Sequence, residues 1–218
     1  MRSNDIEKYK LSLKLNAEQH EVLVGILLGD AMLETQNRGM TYRVKVEHGV
    51  SQKAYTEHLY GILKDWVLTQ PKIRQVTLSN GKTYGKVTFS TLSHGAFRFY
   101  AHQFYPCGKK TVPELIERWL TPRAVAYWFM DDGSVKSKES KGVIFNTQGY
   151  RKEDVGRLAC ILRKKFNLDA KPRRQKEGYQ IYISGKSYEN FKNLVSSHML
   201  EEMKYKIPEA RRTYLPKM

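Results

Sequence analysis

The chain has 218 residues, with 38 Lys and Arg against 22 Asp and Glu, and its formal charge of +16 favours a polyanionic partner, nucleic acid first. A hydrophobic content of 40% supports a real core, yet the longest apolar run near the start, residues 22–28, is far short of the ~20 residues of a spanning helix, which excludes a bilayer-crossing protein. Met1-Arg2-Ser3-Asn4-Asp5 lacks the apolar core of a secretory signal, and Cys107 and Cys160 form no CxxC pair, so secretion, a disulfide framework and a structural zinc site are not expected.

Asn16 with Gln19 reads as a capping box that opens a first helix, which runs through Leu23-Val24-Gly25-Ile26-Leu27-Leu28-Gly29-Asp30. Tyr42, Val44 and Val46 alternate with Arg43, Lys45 and Glu47, the period of a half-buried strand. A second helix holds Leu59-Tyr60-Gly61-Ile62-Leu63, Asn80-Gly81 marks a hairpin, and Val87 and Phe89 alternate with Lys86 and Thr88. Ser90 then precedes a further helix, and Lys110 stands before Pro113.

The order then starts again. Thr121 and Pro122 supply an N-cap and an N1 proline for a helix that ends Val125-Ala126-Tyr127-Trp128-Phe129-Met130-Asp131-Asp132, so the terminal acids are 102 positions apart. Leu158-Ala159-Cys160-Ile161-Leu162, a turn at Glu177-Gly178, Ser184 before a helix and Lys206 before Pro208 follow at nearly the same offset. Each half therefore reads as helix, two strands, helix, two strands, helix. The boundary is placed at residues 118–122, giving halves 1–118 and 119–218 that are expected to pack tightly, since no long linker separates them.

A lone carboxylate at a helix end is ordinarily a solvated or capping residue. Here the preceding helix is apolar around most of its circumference, with Gly25 and Gly29 four residues apart to admit a neighbouring helix. If that neighbour is the duplicated helix, Asp30 and Asp132 emerge together, and two like charges then call for a cation between them. Hard oxygen ligands favour Mg²⁺, and carboxylate-held metal beside a phosphate suits phosphodiester hydrolysis.

Residues 23–31 and 125–133 resemble the two copies of the LAGLIDADG motif, with the acid at the eighth position in both. Leu28-Gly29-Asp30-Ala31, residues 126–133, Lys109-Lys110-Thr111-Val112-Pro113 and Asn146-Thr147-Gln148 extend the resemblance towards the yeast mitochondrial intron endonucleases. The resemblance implies an α+β, pseudo-two-fold duplicated αββαββα homing-endonuclease fold, a β-saddle for the DNA major groove, and two packed motif helices at the centre. It further implies a monomer that makes a double-strand break in a long asymmetric target and leaves short 3′ overhangs. Mg²⁺ is the implied cofactor, with Mn²⁺ substituting and Ca²⁺ supporting binding without cleavage.

Carried onto this chain, the resemblance makes Asp30 and Asp132 the metal-binding acids, with Gly29 and Asp131 beside them. Asp131 fills the small-residue position of the motif. Lys110 and Lys206 become the basic residues near the two cleavage centres, with Lys109 and Lys204 as alternatives. Gln148, with His48 in the rough counterpart position, resembles the polar residue that orients solvent, and Glu47 and Asn146 are the adjacent candidates. Tyr127 departs from the glycine usual in the motif, which implies an asymmetric or wider helix crossing.

DNA contact is expected from the polar strand faces, through Arg43, Lys45, Glu47, Arg74, Lys86, Lys136, Lys138, Asn146, Arg173 and Arg174, with a steep salt dependence. Trp66, Trp119 and Trp128 fall at apolar helical positions and read as core. Double-stranded DNA is thus the expected partner. An RNA maturase that binds intron RNA is the nearest competing reading, ahead of a non-catalytic DNA-binding regulator or a basic ribosome-associated protein. An intron-encoded product acts in the compartment of its gene, a chloroplast or mitochondrion, and otherwise in the cytoplasm.

Overall fold

Asn16 and Gln19 close a reciprocal cap at the start of the first motif helix: the Asn16 side chain accepts from the Gln19 N–H at 2.8 Å, and the Gln19 side chain accepts from the Asn16 N–H at 3.2 Å. The computed structural model describes residues 3–208 except Asn80 and Lys138. It divides into two compact units, the first ending at Ala124 and the second starting at Val125.

In the first unit, α1 (Ser3–Ser12) precedes α2 (Ala17–Leu28), β1 (Met32–Glu34), β2 (Arg43–Gly49), α3 (Lys53–Ile62), β3 (Lys72–Thr77), β4 (Thr83–Ser90), α4 (Arg98–Phe104) and the single turn α5 (Ile116–Trp119). Then come α6 (Pro122–Asp132), β5 (Gly133–Val135), β6 (Val143–Phe145), α7 (Lys152–Phe166), β7 (Ala170–Gln175), β8 (Gly178–Ile183) and α8 (Tyr188–Val195). The two antiparallel sheets have orders β1-β2-β4-β3 and β5-β6-β8-β7, one topology used twice. The duplicated helix–strand–strand–helix–strand–strand–helix order expected from the sequence is present, with α1 added in front.

Residues 22–28 of α2 are all buried, which is why that stretch shows no amphipathic period. Thr121 accepts from the Ala124 N–H at 3.2 Å and Pro122 opens α6, as their cap chemistry predicts. Val44, Val46, Val87 and Phe89 are buried on the inner face of the first sheet. Val143, Phe145, Ile181 and Ile183 are their counterparts in the second.

The second hairpin differs from its sequence reading. Gln175 pairs with Gly178, so the turn residues are Lys176 and Glu177, and Gly178 is the first residue of β8. Its φ of +145° and the Gln148 carbonyl oxygen 2.6 Å from where a Cβ would stand explain the glycine. In the first hairpin Gly81 takes φ +78°, while its partner Asn80 lies outside the described residues. Among the described residues no helix is long and apolar enough to cross a membrane.

Candidate functional site

In the first unit the buried helix α2 runs out at Gly29 and presents Asp30 with its side chain about half exposed, at 49%. The inner face of β2 supplies His48, buried, whose Nε2 lies 4.0 Å from Asp30 Oδ2 and whose Nδ1 lies 3.0 Å from Thr56 Oγ1. The Thr56 hydroxyl also lies 3.3 Å from the Gln52 carbonyl, and Nε2 is the ring nitrogen turned to the carboxylate. A ring nitrogen and a carboxylate that face each other at this distance fit a shared cation or a bridging water. Lys110 donates its amine to the carbonyls of Gly29, at 2.5 Å, and Ala31, at 3.1 Å, which brackets Asp30. Lys109, the alternative, is exposed.

In the second unit Asp132 is the last residue of α6. Register places Gly133 against Phe145, which carries Asn146 to Asp132, and both the backbone N–H and the side-chain amide of Asn146 donate to the Asp132 carbonyl, at 2.9 and 2.8 Å. Lys206 is buried and donates to the carbonyls of Met130 and Asp131. Lys204 instead forms an exposed pair with Glu201. Asp131 is itself buried. Gln148 lies two residues past Asn146, in the turn that Gly178 receives. The indole N–H of Trp128 donates to Asp132 Oδ2 at 3.2 Å, a polar role that an apolar helical position did not announce. Its signal in the sequence was the spacing of four from the motif acid.

The outer face of the first sheet joins charged residues of both signs. Arg43 binds Glu34 at 2.8 Å, Lys45 lies 3.6 Å from Glu34 and 3.7 Å from Glu47, and Lys86 meets Glu47 at 2.5 Å. The hydrogen bond from Lys86 holds the Glu47 carboxyl below the usual range, against a smaller opposing effect of burial. Glu34, Arg43, Lys45 and Glu47 border an open groove of about 410 Å³, which Lys72 and Arg74 also line, the latter across the ladder from Lys86. Glu34 and Lys72 were not singled out from the sequence. On the second sheet Arg173 pairs with Gln180 on the face that carries Tyr182, whereas Arg174 pairs with Tyr179 and by alternation projects from the other side. Lys136 and Lys171 both stand over the Tyr182 ring, at 5.4 and 5.9 Å. Lys138 lies outside the described residues.

Residues 20–191 match the sequence model of the LAGLIDADG DNA endonuclease family. The chain belongs to that family. Probable intron-encoded endonuclease 1 of Wickerhamomyces canadensis is 34% identical over 198 residues, 88% of this chain and 85% of that protein. Cytochrome b mRNA maturase bI2 of Debaryomyces hansenii is 29% identical over 200 residues, 88% of this chain and 74% of the maturase. The solved structure of the homing endonuclease I-WcaI bound to its DNA recognition sequence matches with a TM-score of 0.90 at 32% identity, over 96% of this chain and 95% of that one. Fold and family are thus those of a LAGLIDADG homing endonuclease.

Proposed function

We propose that this chain, as a monomer, makes a double-strand break in a long asymmetric DNA target by metal-dependent hydrolysis and leaves short 3′ overhangs. The observation that carries the reading is the same pairing found twice: a motif acid at the end of a buried helix, and a lysine amine on the carbonyl just before it, Lys110 at Gly29 and Lys206 at Asp131. A lysine so placed offsets phosphate charge beside each acid. Each half, taken as residues 1–118 and 119–218, contributes one such centre.

The donors fit a hard divalent cation. Asp30 and Asp132 would hold Mg²⁺ through carboxylate oxygens, and Gly29 and Asp131 offer the second lone pair of carbonyls whose first is taken by lysine. When bound, the metal supplies an activated water and stabilises the leaving oxygen. His48 Nε2 is placed to accept from a water in the first centre. Asn146 holds the backbone of Asp132 in the second, and Gln148 follows two residues on, in the turn after the strand.

Duplex binding is assigned to the outer strand faces: Arg43, Lys45, Glu47, Arg74 and Lys86 on the first sheet, and Lys136 and Arg173 with Lys171 on the second. An organelle is the proposed compartment, in keeping with the intron-encoded relative. The likeness to a maturase favours one second reading, binding of intron RNA on the same surfaces.

Cleavage of a randomised duplex library by the purified protein with Mg²⁺, followed by sequencing of the ends, tests the proposal. Recovery of one long asymmetric site with 3′ overhangs is expected. Asp30→Asn and Asp132→Asn are expected to abolish double-strand cleavage while leaving target binding in Ca²⁺ intact. Full activity in either variant overturns the metal assignment, and tight binding of intron RNA without any cutting supports the second reading.

A further inference from the structure

Trp128 is fully buried, its ring centroid 4.2 Å from that of Phe145, which Phe129 and Phe191 edge at 5.3 and 6.2 Å. Packing alone would leave the direction of its one N–H open. That N–H donates to Asp132 Oδ2, one helical turn further on, at 3.2 Å. The same aspartate has its backbone carbonyl held twice by Asn146, and the carbonyl before it held by Lys206. Asp132 is therefore tied at its main chain and at one carboxylate oxygen. The first motif has Ile26 at the place of Trp128, a side chain with nothing to donate, and its Asp30 carboxylate faces the His48 ring at 4.0 Å.

We infer that Trp128 is a positioning residue for Asp132, that it orients the carboxylate before a divalent cation arrives, and that the two centres consequently cut the two DNA strands at different rates. The inference rests on the reading of Asp132 as a metal-binding acid. A carboxylate whose rotation is already fixed by a buried donor loses less freedom when it becomes a ligand, and outer-shell donors of this kind tune the affinity of the site they support. Trp128 is fully buried and acts through Asp132, so its effect should appear in metal affinity and in the rate at one strand, and not in DNA affinity.

Trp128→Phe keeps the ring against Phe145 and removes the N–H, and replacement of Trp128 by benzothienylalanine does so with the indole shape retained. With each strand of the target end-labelled, both proteins are expected to nick one strand about tenfold more slowly than wild type, with recovery at high Mg²⁺, and to cut the other strand at the wild-type rate. Nicked duplex should accumulate. Calorimetric titration of Ca²⁺ into the protein–DNA complex is expected to show weakening by a similar factor, while DNA affinity in EDTA is unchanged. Wild-type rates on both strands, equal slowing of both, or an unchanged Ca²⁺ affinity overturns the inference. Wild-type protein that neither cuts nor binds Ca²⁺ overturns instead the reading on which it rests.

Discussion

The amine of Lys206, buried at the end of the second motif helix, lies 2.9 Å from the carbonyl oxygen of Asp131. A helix ends with carbonyls that lack intrahelical partners, and a cation there answers both the unmet acceptors and the negative end of the helix dipole. Lys206→Met should leave the Met130 and Asp131 carbonyls without this donor and destabilise the fold by about 1–3 kcal/mol. Lys110 does the same at Gly29 and Ala31 but is only half-buried, so water can replace it, and Lys110→Met should lower the melting temperature less. Both variants should lose DNA cleavage, and comparison of the two melting curves with the two cleavage rates separates the structural share from the chemical one.

Gln19 is buried and serves three partners: the Asn16 N–H, the Ile62 carbonyl at 2.9 Å and the Trp66 indole N–H at 3.3 Å. Gln19→Leu fills the volume and satisfies none of them. A loss of about 2–4 kcal/mol is expected from chemical denaturation, more than the roughly 1 kcal/mol expected for removal of the Asn16 cap alone by Asn16→Ala.

Gly133 follows the second motif acid where the first motif has Ala31. A Cβ at Gly133 would collide with the backbone carbonyl and the ring of Phe129, and a backbone oxygen does not move aside cheaply. Gly133→Ala should destabilise by at least about 1–3 kcal/mol, as overpacking does, and should shift the start of β5 and with it Asp132. Ala31→Gly is expected to be the milder change. Thermal denaturation of both variants checks the contrast.

Glu47 ties Lys45 and Lys86 on the outer face of the first sheet. Glu47→Gln frees the Lys86 amine for phosphate and leaves Lys45 with Glu34 alone, and it should tighten non-specific duplex binding, with a salt slope steeper by about 1. Binding isotherms over a salt series are the measurement, and an unchanged slope would mean that these amines already leave Glu47 for phosphate in the wild type or reach no phosphate at all.

His20 sits beside the Tyr100 hydroxyl, with Nδ1 2.5 Å from Oη, and burial holds its imidazole below the ordinary 6.5. Burial pushes the Tyr100 phenol up to about 12, so it stays a neutral donor and His20 the acceptor. A histidine whose folded-state pKa is depressed contributes stability that is complete above 6.5 and is lost as pH falls towards the folded value. Glu47, whose folded pKa lies below 4.5, adds a loss only in more acid solution. The melting temperature should therefore drop as the pH falls below about 6.5, and His20→Phe should flatten that fall.

The duplicated apolar helix ending in acid, the cap residues Asn16, Thr121 and Pro122, and the alternation of Val44 and Val46 with Arg43 and Lys45 were all legible in the chain, because each depends on neighbours within a few residues. Local chemistry of that kind was enough for the element order, the repeat and the two motif acids. It left Lys109 as an alternative to Lys110 and Lys204 to Lys206, and only the fold decided which amines reach the ends of the motif helices, because those helix ends lie 75 or more positions away along the chain. It likewise could not place Trp128 as a donor to Asp132, decide which of Arg173 and Arg174 shares the face of Tyr182, or bring Asn146 to the Asp132 carbonyl. Register and rotamer settle such contacts, and both are set by packing between segments remote in sequence, which no short-range pattern records.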